Sequence, residues 1–448
     1  MNIPVSITFD AAMQNYYVAE RGNNRVIKYN MTENRVTLVA GTGMGGKGDE
    51  GVLATAAPLT EARYAVPKPD NSGVFISDAS NNRVRYVNAS GYVSTFAGRI
   101  DGSVGSYGHG VPAVDTAALN FPRGLVWVSA VSTLFIADAS NNAIRKVDSS
   151  GIITTVAGML GQTCTFVNGS AATSTCLSNP ETVAVSSDGA RVWIPNAGSH
   201  RVVKVENSIM TLVAGVGGTG STGDGGLAIL AKLASPSCVA VDATESMMWI
   251  SDTENHVIRV VGLRSGIISH VAGIYGDSAV GADIGDALSV SIGQPEGVAV
   301  TSDGSQLFVT SYMHHNIRRL ILPTPSSTPS TSPSVTSSPS PSPTQSSSPT
   351  GTGTPSRTPS YTASGTSSNS GSATPSSTPS TTSSSSRSST PSITASATSS
   401  TTASHTPSQT YTPTTSFTPT SSVTATATPS AVWATRQPGS IISMLLWV

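Results

Sequence analysis

The residues best suited to chemistry are acids and amides that recur at nearly constant spacing. Intervals of 56 to 60 residues separate Glu20, Asp78, Asp138, Asn196 and Asp252. A ring of such oxygens would suit Ca²⁺, which takes six to eight oxygen ligands, with Asp78, Asp138 and Asp252 as its candidate ligands. An acid at a fixed repeat position also caps the turn that follows it. The repeat favours turn capping over a metal site.

Three further charged residues, Arg123, Glu181 and Glu296, open apolar runs close to these positions. We expect them on the same face of the fold as the recurring acids, where they would contribute to a binding surface. The sequence contains no nucleophile elbow, phosphate loop, Cys-x-x-Cys or His-Glu-x-x-His motif. No catalytic residue and no cofactor is therefore assigned.

Three histidines also share one repeat position: His200, His256 and His315. Neutral imidazoles are good zinc ligands, but the first three copies of the repeat have Asn at this place. A position that accepts Asn and His predicts a hydrogen-bonding turn residue and argues against zinc.

These residues lie in a pattern that occurs six times. The copies read YYVAERGNNRVIKY, VFISDASNNRVRYV, LFIADASNNAIRKV, VWIPNAGSHRVVKV, MWISDTENHVIRVV and LFVTSYMHHNIRRL. Each contains short β-branched runs bounded by turn residues, which is typical of strands. Five copies continue into a further run that ends in Ala-Gly. Four antiparallel strands per copy predict an all-β, six-bladed propeller, with blades at about 4–41, 59–98, 119–158, 177–215, 233–273 and 292–322.

The motifs resemble those of NHL-repeat propellers over residues 4–322. The resemblance is carried by the loop GDGGLAILAKLASP from Gly223, the strand PEGVAV from Pro295, the turn DTENHVIR from Asp252 and the closing run TTVAG. The sixth copy stops after its third run at Leu322, so we expect the last blade to lack its fourth strand in this chain. We also expect upstream sequence that supplies a closing strand.

The composition changes abruptly after Leu322. Ser, Thr and Pro make up 85 of the 108 residues from 323 to 430, which predicts a disordered, low-complexity tail. Ser/Thr-rich sequence with Pro is typical of O-glycosylated stalks, although an unmodified linker has the same composition. Residues 431–448 form a short apolar end, and whether it is an anchor signal stays open. Membrane attachment is therefore open too.

Charge excludes one class of partner. Residues 1–322 contain 25 acidic and 21 basic residues, a balance of −4. Nucleic-acid binding requires clustered Lys and Arg that neutralise phosphates. We therefore expect no nucleic-acid partner, and the oligomeric state stays undetermined.

Several features favour an extracellular or cell-surface location, although no signal peptide is visible. Asn30, Asn88 and Asn168 each begin an N-glycosylation sequon. Asn30 and Asn88 lie at turns that favour Asn in any case. Cys164 and Cys176 flank a 12-residue step in a chain with one other cysteine, which suggests a disulfide.

Antiparallel strands place the turn after each second strand on the same face as the long connections between blades. We expect this rim to be the binding face. The resulting hypothesis is a non-enzymatic module that binds a protein or a glycan and is displayed on a stalk. The alternative is a divalent-cation-dependent propeller enzyme, a lactonase-like or strictosidine-synthase-like hydrolase or a lyase. That alternative requires the carboxylates to converge on one point.

Overall fold

The strands form where β-branched and aromatic residues alternate or run together between turn residues. A computed structural model describes residues 1–280, 284–322 and 442–444, the last three without side chains. The second strand of each blade is buried on both faces, as in Gly73–Asp78 and Thr133–Asp138, because each blade packs against two neighbouring blades. A strand buried on both faces reads as a continuous apolar run rather than an alternating one.

The strands group into six antiparallel sheets. Blade one contains β1 (Pro4–Phe9), β2 (Asn15–Glu20), β3 (Arg25–Asn30) and β4 (Arg35–Ala40). Blade two contains β5 (Val52–Leu53), β6 (Ala62–Pro67), β7 (Gly73–Asp78), β8 (Arg83–Asn88) and β9 (Tyr92–Gly98). Blade three contains β10 (Val111–Pro112), β11 (Pro122–Val128), β12 (Thr133–Asp138), β13 (Ala143–Val147) and β14 (Ile152–Ala157).

The remaining blades repeat this order. Blade four contains β15 (Ser170–Ala171), β16 (Ala184–Val185), β17 (Arg191–Asn196), β18 (Arg201–Glu206) and β19 (Ile209–Ala214). Blade five contains β20 (Pro236–Val241), β21 (Met247–Asp252), β22 (Val257–Gly262) and β23 (Ile268–Gly273). Blade six contains β24 (Gly285–Asp286), β25 (Pro295–Val300), β26 (Gln306–Ser311), β27 (Asn316–Ile321) and β28 (Ile442–Met444).

Short 3₁₀ helices lie in the turns and connections. They span Arg21–Asn23, Ala54–Ala56, Ala79–Asn81, Ser129–Val131, Ala139–Asn141, Ala197–Ser199, Ala228–Leu230 and Thr253–Asn255. None of the helices in the described ranges is long and apolar enough to cross a membrane.

The sheets are arranged as a closed ring. The inner strands of successive blades contact one another, and β25 of blade six packs against β1 of blade one. One apolar cluster spans this closing junction, with Ile7, Tyr16 and Val18 from blade one and Phe308 and Ile317 from blade six. The six-bladed, all-β propeller is confirmed.

The last blade differs from the expectation. Its fourth position is filled by β28, in which Ser443 pairs with Leu320 of β27. The prediction that this blade lacks a fourth strand was therefore wrong. The pairing escaped sequence analysis because about 120 residues separate β27 from β28 and only three residues form the strand. The disordered tail at 323–430 lies outside the described residues.

The connections between blades also protect sheet edges. Two-residue strands β5, β10, β15 and β24 each pair with the fourth strand of the blade that follows them. An unpaired outer strand would expose a row of backbone donors and acceptors. The connections therefore cover edges as well as forming a rim.

Candidate functional site

The recurring acids at the ends of the second strands are buried and bound within the protein. Asp78 accepts hydrogen bonds from the backbone N–H of Thr60 at 2.8 Å and from Asn81 Nδ2 at 2.9 Å. Its Oδ2 also lies 3.1 Å from Arg83 Nε. The side chain is fully shielded from solvent. Asp78 thus joins its own turn to the connection that precedes its blade.

Other blades repeat this arrangement. Asp138 accepts from Asn120 N at 2.8 Å, Asp252 from Ala234 N at 2.7 Å and Asn196 from Ser178 N at 2.6 Å. Glu20 in blade one forms an ion pair with Arg25 and accepts from Asn2 N at 3.2 Å.

Burial has a clear electrostatic effect on these acids. It raises the pKa of Asp138 and of Asp252 to about 6, although their hydrogen bonds and the nearby Arg145 and Arg259 oppose the shift. The pKa of Asp78 is raised for the same reason. The described ranges contain no group of three or more His, Cys, Asp or Glu side chains that could hold a metal ion. The geometry of these acids is that of turn caps.

The Asn and His position next to these acids links neighbouring blades. Asn82 has left-handed backbone geometry (φ 54°), and its Oδ1 accepts a hydrogen bond from the N–H of Phe121 in blade three at 3.0 Å. In the same way, His200 Nδ1 accepts from Ser235 N and His256 Nδ1 accepts from Gln294 N, each at 3.0 Å. An imidazole replaces the amide because both offer one acceptor at a similar place. Burial lowers the pKa of His256 and so favours this neutral form.

The charged side chains that do converge lie at the mouth of the central channel. Six residues, one from each blade, line one small cavity: Val5, Arg63, Arg123, Glu181, Ser237 and Glu296. Five of them directly follow the first residue of their inner strand, whereas Glu181 lies three residues before β16 (Ala184–Val185). In five blades the register shifts here, as between Pro122 and Leu125. Such β-bulges redirect side chains. The ring stands on the same face as the connections.

The ring contains two arginines, Arg63 and Arg123, in neighbouring blades and two glutamates, Glu181 and Glu296. Arg123 forms a direct ion pair with Glu181. Arg63 lies 3.8 Å from Glu296 and 3.7 Å from Glu61, and Glu61 is itself paired with Arg21 at 2.6 Å.

An aromatic ring supports both arginines. The guanidinium carbons of Arg63 and Arg123 each lie 5.3 Å from the ring centroid of Phe121. A cation over an aromatic face is stabilised by the quadrupole of the ring. Phe121 therefore holds two positive charges at one edge of the mouth.

Burial changes the acid–base properties of this cluster. It raises the pKa of Glu296 to about 7, against the nearby positive charge of Arg63 and with the help of Glu181. Burial and the charge of Arg123 lower the pKa of Arg63 to about 10.

The larger opening lies at the opposite end of the channel. A cavity of about 560 Å³ is lined there by Phe9, Pro67, Trp127, Trp193 and Val241, among others. The cavity at the charged mouth has a volume of about 20 Å³. The face predicted from the sequence to bind a ligand thus contains the converging charges, whereas the larger cavity lies on the opposite face.

The remaining predicted residues lie apart from both mouths. Cys164 and Cys176 are joined by a disulfide. Asn88 and Asn168 are exposed and Asn30 is half-buried. Asn88 Oδ1 accepts from Ser90 N at 3.0 Å, which is the hydrogen bond of an Asx turn.

Of the predicted residues, the structure brings together Arg123, Glu181 and Glu296, and leaves the acids of the second strands in separate turns. Arg63 was not predicted from the sequence. In blade two Ala62 replaces the proline that precedes the ring residue in the other blades, so ARYAV was not aligned with PRGLV and PEGVA. Alignment on the position before the bulge would have identified Arg63.

Comparisons with known proteins support the repeat family. No protein-family model matches the chain. The chain is 28% identical over 229 residues to protein SUPPRESSOR OF QUENCHING 1, chloroplastic, of Arabidopsis thaliana, covering 49% of this chain and 21% of that protein. It is 25% identical over 228 residues to NHL repeat-containing protein 2 of Gallus gallus, covering 45% of this chain and 31% of that protein. The resemblance to NHL repeat-containing proteins is confirmed, and the chain spans less than a third of these relatives.

Solved structures show the same fold. A Bacteroides thetaiotaomicron protein of unknown function superposes with a TM-score of 0.51 at 16% identity, covering 71% of this chain and 69% of that one. An auxiliary nutrient binding protein from the same organism gives a TM-score of 0.51 at 13% identity, with 70% and 68% covered.

Proposed function

We propose that this NHL-like propeller is a non-enzymatic binding module that recognises a protein or glycan ligand at its charged channel mouth. The observation that carries the proposal is the convergence of Arg63, Arg123, Glu181 and Glu296 on one face, from four different blades. Charged side chains that face one opening without joining a turn are suited to partner recognition, because electrostatic complementarity gives specificity.

The acids of the second strands weigh against the enzyme alternative. A divalent cation would need several carboxylate oxygens around one centre. Asp78, Asp138 and Asp252 instead each accept a backbone N–H and an Asn side-chain N–H. Binding a cation there would break a turn in each blade.

We further propose that the module acts outside the cell, carried by the Ser/Thr/Pro-rich segment as a spacer. The Cys164–Cys176 disulfide suits an oxidising compartment. Asn88 and Asn168 are exposed, as glycan acceptors must be. A glycosidase-sensitive shift in mass that disappears in Asn88→Gln and Asn168→Gln variants would support this location. A full chain with unmodified sequons and free thiols in its native cells would refute it.

The binding proposal is tested with the full chain on glycan arrays and in cross-linking to cell-surface proteins. Arg123→Ala is expected to weaken ligand capture at least tenfold, because it removes one charge and leaves Glu181 unpaired at the mouth. Arg191→Ala is the matched control, since Arg191 forms ion pairs with Asp188 and Glu245 away from this mouth. Equal loss in both variants would refute recognition at the charged mouth.

A chelator arm separates the two classes of function. Capture that persists in EDTA supports the binding module. Capture that is lost in EDTA and restored by Ca²⁺ would instead favour the cation-dependent enzyme.

A further inference from the structure

The charged mouth contains an arginine, Arg63, that is incompletely hydrogen-bonded by the described residues. The Arg63 side chain is 8% exposed, and its Nε is buried without a hydrogen-bond partner among the described residues. Its terminal nitrogens lie 3.8 Å from Glu296 and 3.7 Å from Glu61, beyond hydrogen-bond distance. A buried guanidinium without close acceptors is costly. A ligand that supplies an acceptor here would remove that cost.

The acid opposite Arg63 is equally incomplete. Glu296 is 18% exposed, and among residues 1–280 and 284–322 its one close charge partner is Arg63. Glu181, in contrast, is in direct contact with Arg123 and accepts a hydrogen bond from Asn179 Nδ2 at 3.0 Å. Arg123 and Glu181 are thus in direct contact with each other, whereas Arg63 and Glu296 are separated by 3.8 Å.

Protonation of Glu296 would make the net charge of the mouth positive. With Glu296 neutral, the four ring charges of Arg63, Arg123, Glu181 and Glu296 sum to +1, because two arginines face one carboxylate. A protonated carboxyl also becomes an O–H donor. Arg63 and Glu296 would then both present donors to the same small space. That arrangement accepts an anion rather than a cation.

The size of the space limits what enters it. The cavity of about 20 Å³ has room for about one water-sized group, so only the oxygen end of a terminal group enters it and the rest of the ligand stays outside the mouth. A carboxylate is planar and pairs with a guanidinium through two parallel hydrogen bonds. Phe121 below Arg63 and Arg123 keeps both guanidinium groups in place.

We propose that the channel mouth binds a carboxylate group of its ligand through Arg63, with Arg123 adding positive charge and Glu296 binding a proton as the ligand enters. This inference rests on the proposed binding function and names the chemical class that it recognises. The charged groups around Glu296 set its proton affinity: Arg63, Arg123 and Arg21 lower it, and Glu181 raises it. Burial is the largest influence and raises the pKa to about 7.

Proton uptake gives the binding a defined pH dependence. Below about pH 7 Glu296 is already protonated and affinity should be constant. Above pH 7 the proton must be taken up on binding, so the dissociation constant should rise tenfold per pH unit.

The test measures binding of three ionised probes to the full chain by calorimetry and saturation-transfer NMR between pH 5.5 and 8.5. The probes are D-glucuronate and N-acetylneuraminate, as acidic sugars, and an acetylated, amidated Asp dipeptide, as a peptide carboxylate. Methyl glucuronate ester and inorganic phosphate are the controls. We expect at least one carboxylate to bind, and which class binds identifies the source of the group. Phosphate binding of equal strength and equal dependence on Arg63 would overturn the carboxylate assignment.

Variants test the two roles separately. Arg63→Gln should weaken the bound carboxylate at least tenfold, Arg63→Lys should restore part of it, and Arg191→Gln should leave it unchanged. Glu296→Gln keeps a neutral donor, so its affinity at pH 8.5 should match that of the unsubstituted protein at pH 6. Thermal melts of each variant establish that it is folded.

The outcomes distinguish this inference from the proposed function. If no carboxylate binds, or if Arg63→Gln binds as well as the unsubstituted chain, the carboxylate inference is wrong. The binding module would still stand if Arg123→Ala loses a macromolecular ligand. If Glu296→Gln keeps the full pH dependence, Glu296 is not the group that takes up the proton.

Discussion

Removing the hydrogen bond between blades two and three should destabilise the propeller by an amount that the geometry defines. Asn82→Ala deletes the acceptor of the Phe121 N–H, 3.0 Å away, and the donor to the Gly102 carbonyl, also at 3.0 Å. A buried donor left without a partner costs about 1 to 3 kcal/mol. Alanine in the left-handed region adds about 1 kcal/mol, because Asn82 has a φ of 54°. We expect a total loss of about 2 to 4 kcal/mol.

Two further variants separate these contributions. Asn82→Gly loses the hydrogen bonds without the left-handed penalty, so it should be more stable than Asn82→Ala. Asn71 is exposed and also left-handed (φ 57°), and its side chain forms no hydrogen bond to another blade within the described part of the chain. Asn71→Ala therefore measures the backbone penalty alone, about 1 kcal/mol.

The repeat itself supplies a rescue variant. His200 and His256 fill the equivalent position with Nδ1 as acceptor, so Asn82→His should retain most of the stability at pH 8. It should lose stability below about pH 6.5, where the imidazole takes up a proton and Nδ1 stops accepting.

The assay is urea unfolding of the full chain followed by tryptophan fluorescence, with free energies from shared m-values. If Asn82→Gly is as stable as the unsubstituted chain, the bond between blades contributes nothing. If Asn82→His is as unstable as Asn82→Ala at pH 8, the equivalence of Asn and His at this position is refuted.

Three other changes have defined outcomes. Because the pKa of Glu296 rises from 4.5 to about 7 on folding, its contribution to stability is full below pH 4.5 and is lost as pH rises through 7. The loss is about 3 kcal/mol at most, from 1.36 kcal/mol per unit, and Glu296→Gln should lack it in urea unfolding at pH 5 and 8.5. The pKa of His256 is lowered from 6.5, so its contribution to stability is present above pH 6.5 and is lost as the pH falls. His256→Asn should remove this loss of stability at low pH. An unchanged dependence of stability on pH would contradict the hydrogen bond to Nδ1. Replacing Cys164 and Cys176 by Ser should lower the unfolding free energy by about 3 kcal/mol, the value for a loop of this length, whereas a chain equally stable when reduced would show that the loop unfolds separately.

The parts of the fold that could be predicted from the sequence are those that recur from copy to copy of the repeat. The strand runs and the Asn or His of the turn recur in all six copies, and an acid ends the second strand in four of them, at Glu20, Asp78, Asp138 and Asp252. Each of these features corresponds to one local interaction. The two-residue strands such as β10 (Val111–Pro112) have no such pattern, because pairing with a neighbouring edge requires no particular side chain. The closing strand Ile442–Met444 was missed because its partner is remote in the chain.

The candidate site was partly predictable for a related reason. Glu181, Glu296 and Arg123 were recognised because each opens an apolar run close to a recurring acid, and in all three cases a proline precedes the charged residue. Arg63 follows Ala62 instead, so its equivalence became visible only in the ring of inner strands. The volume of a cavity cannot be predicted from the repeat pattern, and the 560 Å³ opening on the opposite face was therefore unexpected.

The six blades contain two kinds of repeat position, one that builds the fold and one that is suited to binding a ligand. Positions with the same chemistry in most blades, such as Asp78, Asp138 and Asp252, serve the framework, because every blade must close the same turn. The channel-mouth position differs in chemistry from blade to blade, from Val5 through Arg63 and Glu181, although five of the six blades have the same register shift there. A position that the fold does not constrain is free to fit a ligand. The recurring acids Asp78, Asp138 and Asp252 thus stabilise the fold, and we expect ligand binding at the ring of channel-mouth residues instead.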